Sequence, residues 1–157
     1  MSRIASGGED SYFIRPLIMC RDAVQISTRN GFLDILKILF ESGASLATRG
    51  KRGDTLFHLA AANGHISVME WLTSVGVMHN MVDLTGQTCA HVAARRGEVG
   101  VLRYLELKHE IDFNQKDFDD QTPLDKIPKS ALQGNEEELE ETRQFLLLRR
   151  REIFEES

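Results

Sequence analysis

The sequence predicts an all-α fold: a solenoid of stacked helix-turn-helix units, closed at its C-terminal end by a long helix. Three observations predict it. Gly31, Gly64 and Gly97 recur at a step of 33 residues. Each follows a helix ending rich in small or polar residues: Ser27-Thr28-Arg29-Asn30, Ala60-Ala61-Ala62-Asn63 and Ala93-Ala94-Arg95-Arg96. Five apolar columns keep the same step: Leu33, Ile66 and Val99; Ile35, Val68 and Val101; Leu36, Met69 and Leu102; Ile38, Trp71 and Tyr104; Leu39, Leu72 and Leu105. A fixed period of this length marks repeat architectures, in which one unit cannot bury its apolar face alone and stacking buries it.

Residues 1–15 are expected to be a flexible tail, because Met1 to Asp10 is rich in Ser and Gly and has no periodicity. The units then run over approximately 16–49, 50–82, 83–116 and 117–134. The second unit shows the local logic best. Gly53-Asp54 supplies turn chemistry, and Thr55 suits a helix N-cap. Ala60 and Ala61 let another helix approach closely, and Gly64 ends the first helix where a residue without a Cβ is cheapest. From Ile66 to Thr73 the apolar residues cover a broad face that must be buried, and Gly76 ends the second helix. Over 135–157, Asn135-Glu136-Glu137-Glu138 is a capped, acidic helix start, and Leu139, Thr142, Phe145-Leu146 and Arg149 step at helical spacing toward Ile153-Phe154. This segment is expected to be a capping helix.

Thr55-Leu56-Phe57-His58-Leu59-Ala60-Ala61 followed by Gly64-His65 resembles the ankyrin signature Thr-Pro-Leu-His-x-Ala-Ala…Gly-His. Asp83 to Ala94 is a second copy, and Asp120-Gln121-Thr122-Pro123-Leu124-Asp125 is a partial third, offset by one inserted residue near His109. Asn30 to Ala44 resembles the second helix and following loop of a further unit. The resemblance implies L-shaped units, each a β-hairpin-like finger followed by two antiparallel helices. The departures lie at the ends. Asp22-Ala23-Val24-Gln25 replaces the signature in the first unit, and in the last Asp125 replaces the histidine while Pro128 interrupts the first helix. Degenerate terminal units suit a stack whose ends face water.

Composition narrows the function classes. The chain has 157 residues and a net charge of −5, which argues against a general affinity for nucleic acid or anionic membrane. No run approaches the roughly 18–20 apolar residues of a bilayer-crossing helix. Tyr12 to Cys20 is interrupted by Arg15 and Pro16, and it lacks a small-residue cleavage site, so a secretory signal is not expected. Cys20 and Cys89 are too few for a disulfide framework and read as free thiols in a reducing compartment. The expected location is the cytoplasm, with the nucleus as an alternative raised by Arg149-Arg150-Arg151; a solvated helix end is the favoured reading of that run. Met1 and the cap-like final helix favour a complete protein or a complete domain.

No catalytic site, cofactor or metal site is expected. There is no Gly-rich phosphate loop, zinc spacing or EF-hand loop, and Cys89 lacks a triad. His58 and His91 share one repeat position, where the resemblance implies that each imidazole bonds across adjacent repeats. His65, His79 and His109 are expected in loops without clustered partners.

The resemblance implies instead that a partner protein binds the concave face, built from the finger tips and the exposed end of each first helix. Carried over by position, the tips are Lys51, Arg52 and Asp54, then Leu84, Thr85 and Gln87, then Phe118, Asp119 and Gln121. The helix ends are Arg29 and Asn30, Ala62 and Asn63, Arg95 and Arg96, and Lys129. With Arg21 these positions hold seven cations and two acids, a balance of +5 in a chain of −5. Arg95 and Arg96 are therefore expected to be central to recognition of an acidic segment, with Leu84 and Phe118 as apolar anchors. The expected function is a monomeric, non-catalytic adaptor, scaffold or inhibitor. The alternative is the recognition domain of a larger protein or enzyme. Nucleic-acid binding through the basic face is disfavoured by the acidic C-terminal segment.

Overall fold

The computed structural model describes residues 20–129 and 135–155. The tail expected over 1–15 lies outside them. Helix α1 occupies 20–30. It is followed by α2 (Leu33–Glu41), α3 (Leu56–Ala62), α4 (Ile66–Ser74), α5 (Cys89–Arg96), α6 (Val99–His109), a 3-10 turn (Leu124–Lys126) and α7 (Glu136–Glu155). Among the described residues there is no strand. The first helices of successive units pack together, α3 against α5, as do the second helices, α4 against α6, and α7 packs on both α5 and α6.

In the second, third and fourth units a threonine sets the start of the first helix. In α3 the Thr55 side chain accepts from the His58 backbone N–H, and the His58 ring accepts from the Thr55 backbone N–H, a reciprocal capping box. Thr88 and His91 repeat it in α5. In the last unit Thr122 is held by Asp125, whose carboxylate accepts from the Thr122 N–H at 2.9 Å and from its hydroxyl at 2.8 Å. Ile127-Pro128 then ends the helix after one turn, because proline has no N–H to donate and disfavours helical geometry in the residue before it.

The glycine column does two jobs. Gly31, Gly64 and Gly97 adopt φ of 73°, 72° and 78°, where an L side chain is strained. A Cβ on Gly31 would also lie 2.6 Å from the His65 ring, and one on Gly64 would lie 2.6 Å from the Glu98 carboxylate. His65 and Glu98, the residues after Gly64 and Gly97, thus reach back onto the glycine of the preceding unit.

The fingers are tight turns, each closed by backbone hydrogen bonds. The Gly50 N–H donates to the Asp54 carbonyl (2.9 Å), Asp83 to Gln87 (3.0 Å) and Asp117 to Gln121 (2.9 Å). Neighbouring fingers are tied by the Leu84 N–H to the Arg52 carbonyl (3.1 Å) and by the Phe118 N–H to the Thr85 carbonyl (3.0 Å). The core lies between the helix layers, where Leu36, Met69 and Leu102, then Leu72 and Leu105, have no exposed surface. Ala60, Ala61, Ala93 and Ala94 are equally buried, which lets α3 and α5 approach closely.

Two expectations need correction. His65, His79 and His109 are not isolated. His65 Nε2 donates to the Arg29 carbonyl at 2.9 Å, and the His79 and His109 rings stack with centroids 4.2 Å apart beside Phe57 and Tyr104. Residues separated by about one repeat become neighbours when the units stack. Arg149 is not part of a solvated helix end: it is half-buried, pairs with Glu106 and Glu152, and lies 5.2 Å from the Phe145 ring centre. Arg150 and Arg151 are exposed.

Candidate binding face

The finger tips owe their shape to a buried carboxylate. Asp83 Oδ1 accepts from the Thr85 N–H (2.8 Å), the Thr85 hydroxyl (2.7 Å) and the Gln87 N–H (3.0 Å). Burial raises its pKa, but these donors outweigh burial and hold the carboxyl below its ordinary range. Asp117 repeats the arrangement with Asp119 and Gln121, and its second oxygen pairs with Lys126 at 2.6 Å. The structural role of these two aspartates is absent from the sequence expectations, although their matched positions ahead of each finger turn were a usable signal.

The histidines connect the fingers to the helices. A backbone N–H can only donate, so the Thr55 N–H at 3.2 Å makes His58 Nδ1 an acceptor and leaves the proton on Nε2. That proton is donated to the Gln87 carbonyl of the next finger at 2.8 Å. His91 does the same between Thr88 (3.1 Å) and the Gln121 carbonyl (3.0 Å). Burial lowers both imidazole pKa values. These bonds across units match the structural role that the resemblance implied. Cys89 is buried, its Sγ donates to the His79 carbonyl at 3.7 Å, and burial pushes its thiol up to about 12, which leaves it a poor nucleophile.

On the outer surface, Arg29, Asn30, Lys51, Arg52, Asn63, Arg96, Asp119, Gln121 and Lys129 are exposed, while Asp54, Thr85 and Arg95 are half-buried. Leu84 and Phe118 are 70% and 74% exposed, although each leans on the preceding finger's glycine, Gly53 or Gly86. Gln87 departs from expectation. It is 5% exposed and its Oε1 lies 3.4 Å from Arg95 Nη1, so it braces Arg95 instead of facing a partner. Asn30 and Asn63 use their side-chain amides to donate to the Ile26 and Leu59 carbonyls, both at 2.8 Å.

Arg52, Arg95 and Arg96 come together electrostatically. The Arg95 pKa is lowered first by burial and then by the charges of Arg52 and Arg96. None of the three forms an ion pair with a carboxylate among the described residues, whereas Arg103, Arg143 and Arg149 each do. Arg95, Arg96 and Asn63 line a cleft of about 360 Å³, closed by Glu98, Pro128, Asn135 and Leu139. Burial and Glu138 raise the Glu98 pKa. Gln121 and Lys129 belong to a different cleft of about 540 Å³, beside Arg143.

Helix pairs stacked at a constant step, with turn-shaped fingers chained along one edge, define a repeat scaffold. The chain belongs to the ankyrin-repeat family: the family model described as Ankyrin repeats (3 copies) matches residues 21–124. Comparison with curated proteins finds no match. Ankyrin repeats are generally protein–protein interaction modules, and the family is typically non-catalytic. No helix among the described residues is long and apolar enough to cross a membrane.

Proposed function

We propose that this protein is a non-catalytic adaptor, scaffold or inhibitor that grips an acidic segment of a partner protein on its finger-and-helix face. The observation that carries the proposal is the group Arg52, Arg95 and Arg96. The charges of Arg52 and Arg96 crowd the half-buried Arg95 at the wall of the cleft of about 360 Å³, and although Asp83 and Asp54 act on it from a distance and Glu98 on Arg96, none of the three arginines forms an ion pair among the described residues. An arginine cannot relieve such repulsion by losing its proton, so an incoming anion relieves it, and the planar guanidinium can take a carboxylate bidentately. Leu84 and Phe118 offer exposed apolar area on the neighbouring fingers, and Lys51 and Arg29 are further exposed cations at the expected positions. The protein acts in this reading as a cytoplasmic monomer.

The test compares R95E/R96E with R150E/R151E, which reverses equal charge at two exposed positions on α7. The measurement is anisotropy of a labelled Glu-rich dodecapeptide. Charge-assisted contacts contribute about 1.5–3 kcal/mol each, so the first pair weakens binding by roughly tenfold or more, and the second leaves it within about twofold. Equal affinity for wild type and R95E/R96E would end the proposal.

A further inference from the structure

The first unit has an apolar end face that its own repeat pattern explains. One step of 33 residues takes Ile26, Ile35 and Ile38 to Leu59, Val68 and Trp71, and a second step to Val92, Val101 and Tyr104. Leu59 and Val92 are 8% and 4% exposed, and Val68 and Val101 are fully buried. Their counterparts Ile26 and Ile35 are 54% and 47% exposed, and Ile38 is 62% exposed. Each of the three units is followed by another, so what the first alone lacks, among the described residues, is a unit packed on its near side. Phe32 agrees, at 52% exposure. Its counterparts His65 and Glu98 lie on the glycines of the unit before, and no described glycine precedes Gly31 for Phe32 to cover. Trp71 likewise meets Phe40 of the preceding unit at 5.6 Å, whereas its counterpart Ile38 has no such aromatic neighbour among the described residues.

We infer that the segment Tyr12 to Met19 of this chain is the occupant of that face and takes the place of a preceding repeat. Residues 12–19 lie outside those described, and six of the eight are apolar: Tyr12, Phe13, Ile14, Leu17, Ile18 and Met19. The chain enters the first unit at the right place. α1 is already helical at residue 20, three positions ahead of residue 23, which corresponds to the starts of α3 and α5. Eight extended residues span about 27 Å, while α1 and α2 are about 16 Å and 14 Å long, so the segment can cross the whole face. Its one charge, Arg15, has a partner in prospect. Asp34 occupies the column of Gly100, whose absent Cβ would lie 3.7 Å from Ile66 of the unit before, so Asp34 too looks toward the missing predecessor.

The experiment uses the full chain with p-benzoylphenylalanine at position 13, irradiated and mapped by peptide mass spectrometry. A crosslink within one chain to the peptide covering residues 26–41 is expected. Crosslinks between chains, which would make a second copy the occupant, or no crosslink to that peptide, overturn the inference. Amide exchange gives an independent reading on Y12S/F13S/I14S. α1 and α2 should exchange at least tenfold faster while α5 and α6 keep their wild-type rates. I35S should reproduce the effect, and adding it to the triple variant should bring little more. Unchanged α1–α2 exchange in Y12S/F13S/I14S counts against the inference whatever I35S does.

Discussion

His58 shows how one side chain can serve three levels at once. Nδ1 caps its own helix, Nε2 holds the next finger, and the buried ring fills the space between units. Its replacement by glutamine, a residue also suited to the third helical position of a capping box, keeps the cap and loses the long reach. H58Q is expected to lower stability by roughly 1–3 kcal/mol in urea unfolding, the range for an orphaned buried group. The pH dependence follows from the direction of the shifts. His58, His91 and His109 all have folded-state pKa values below the ordinary 6.5, with burial the first cause in each. The unfolded chain therefore binds these protons first as pH falls. Their contribution to stability is complete above pH 6.5 and is lost as pH drops below it. Asp83, Asp117 and Asp125 titrate below their ordinary 3.8 when folded, so they add a second loss only in a lower, separate window. Melting followed by circular dichroism should show a fall from pH 7.5 to pH 5 in the wild type and a smaller fall in H58Q; identical pH profiles would exclude His58 as a contributor. The residues legible in sequence were those repeated in register, such as His58 and His91. The His79–His109 stack was not legible, because the two occupy different positions in their repeats and meet only once the units are packed.

At the scale of the element, the terminal helix shows what spacing can and cannot reveal. Leu139, Thr142, Phe145 and Leu146 recur at helical intervals, and all four are buried against α5 and α6. Leu139 approaches the place where a Cβ on Gly97 would stand, at 3.1 Å, and so extends the glycine-covering column beyond the last regular repeat. Phe145 meets Phe113 edge-on at 5.7 Å, with the guanidinium carbons of Arg103 and Arg149 5.5 Å and 5.2 Å from its ring centre. Periodicity announced the apolar stripe. It said nothing of Arg149, whose partner Glu106 is 43 residues away and belongs to another helix. The fourth unit's brevity was legible because Pro128 has a local physical effect. F145A removes a ring that is 6% exposed and should destabilise by about 3 kcal/mol. Chemical denaturation with amide exchange should show the loss first in α6 and α7. A change under about 1 kcal/mol would mean that α7 contributes little to the stack.

For the whole molecule, the main feature is an acidic chain whose proposed binding positions are basic. The expected binding positions carry the opposite sign from the −5 of the full sequence, and the structure adds that Arg95 is half-buried beside two further arginines. The sign reversal was readable from residue identity and register. The crowding was not, since it depends on Gln87 turning inward to brace Arg95 and on the distance between successive fingers and helices. Salt should separate the two consequences of this arrangement. The Debye length shrinks from about 10 Å at 0.1 M to about 3 Å at 1 M, so added salt screens both the proposed attraction for an acidic partner and the mutual repulsion of Arg52, Arg95 and Arg96. Stopped-flow association with a Glu-rich peptide should slow at least tenfold between 50 mM and 500 mM sodium chloride, with a smaller change in dissociation. The melting temperature of the free protein should hold or rise over the same range. The same measurements on R95Q/R96Q should show a shallower salt dependence of association, because two of the charges being screened are gone. An association rate indifferent to salt would mean that apolar contacts, Leu84 and Phe118 foremost, dominate recognition and that the arginines are bystanders.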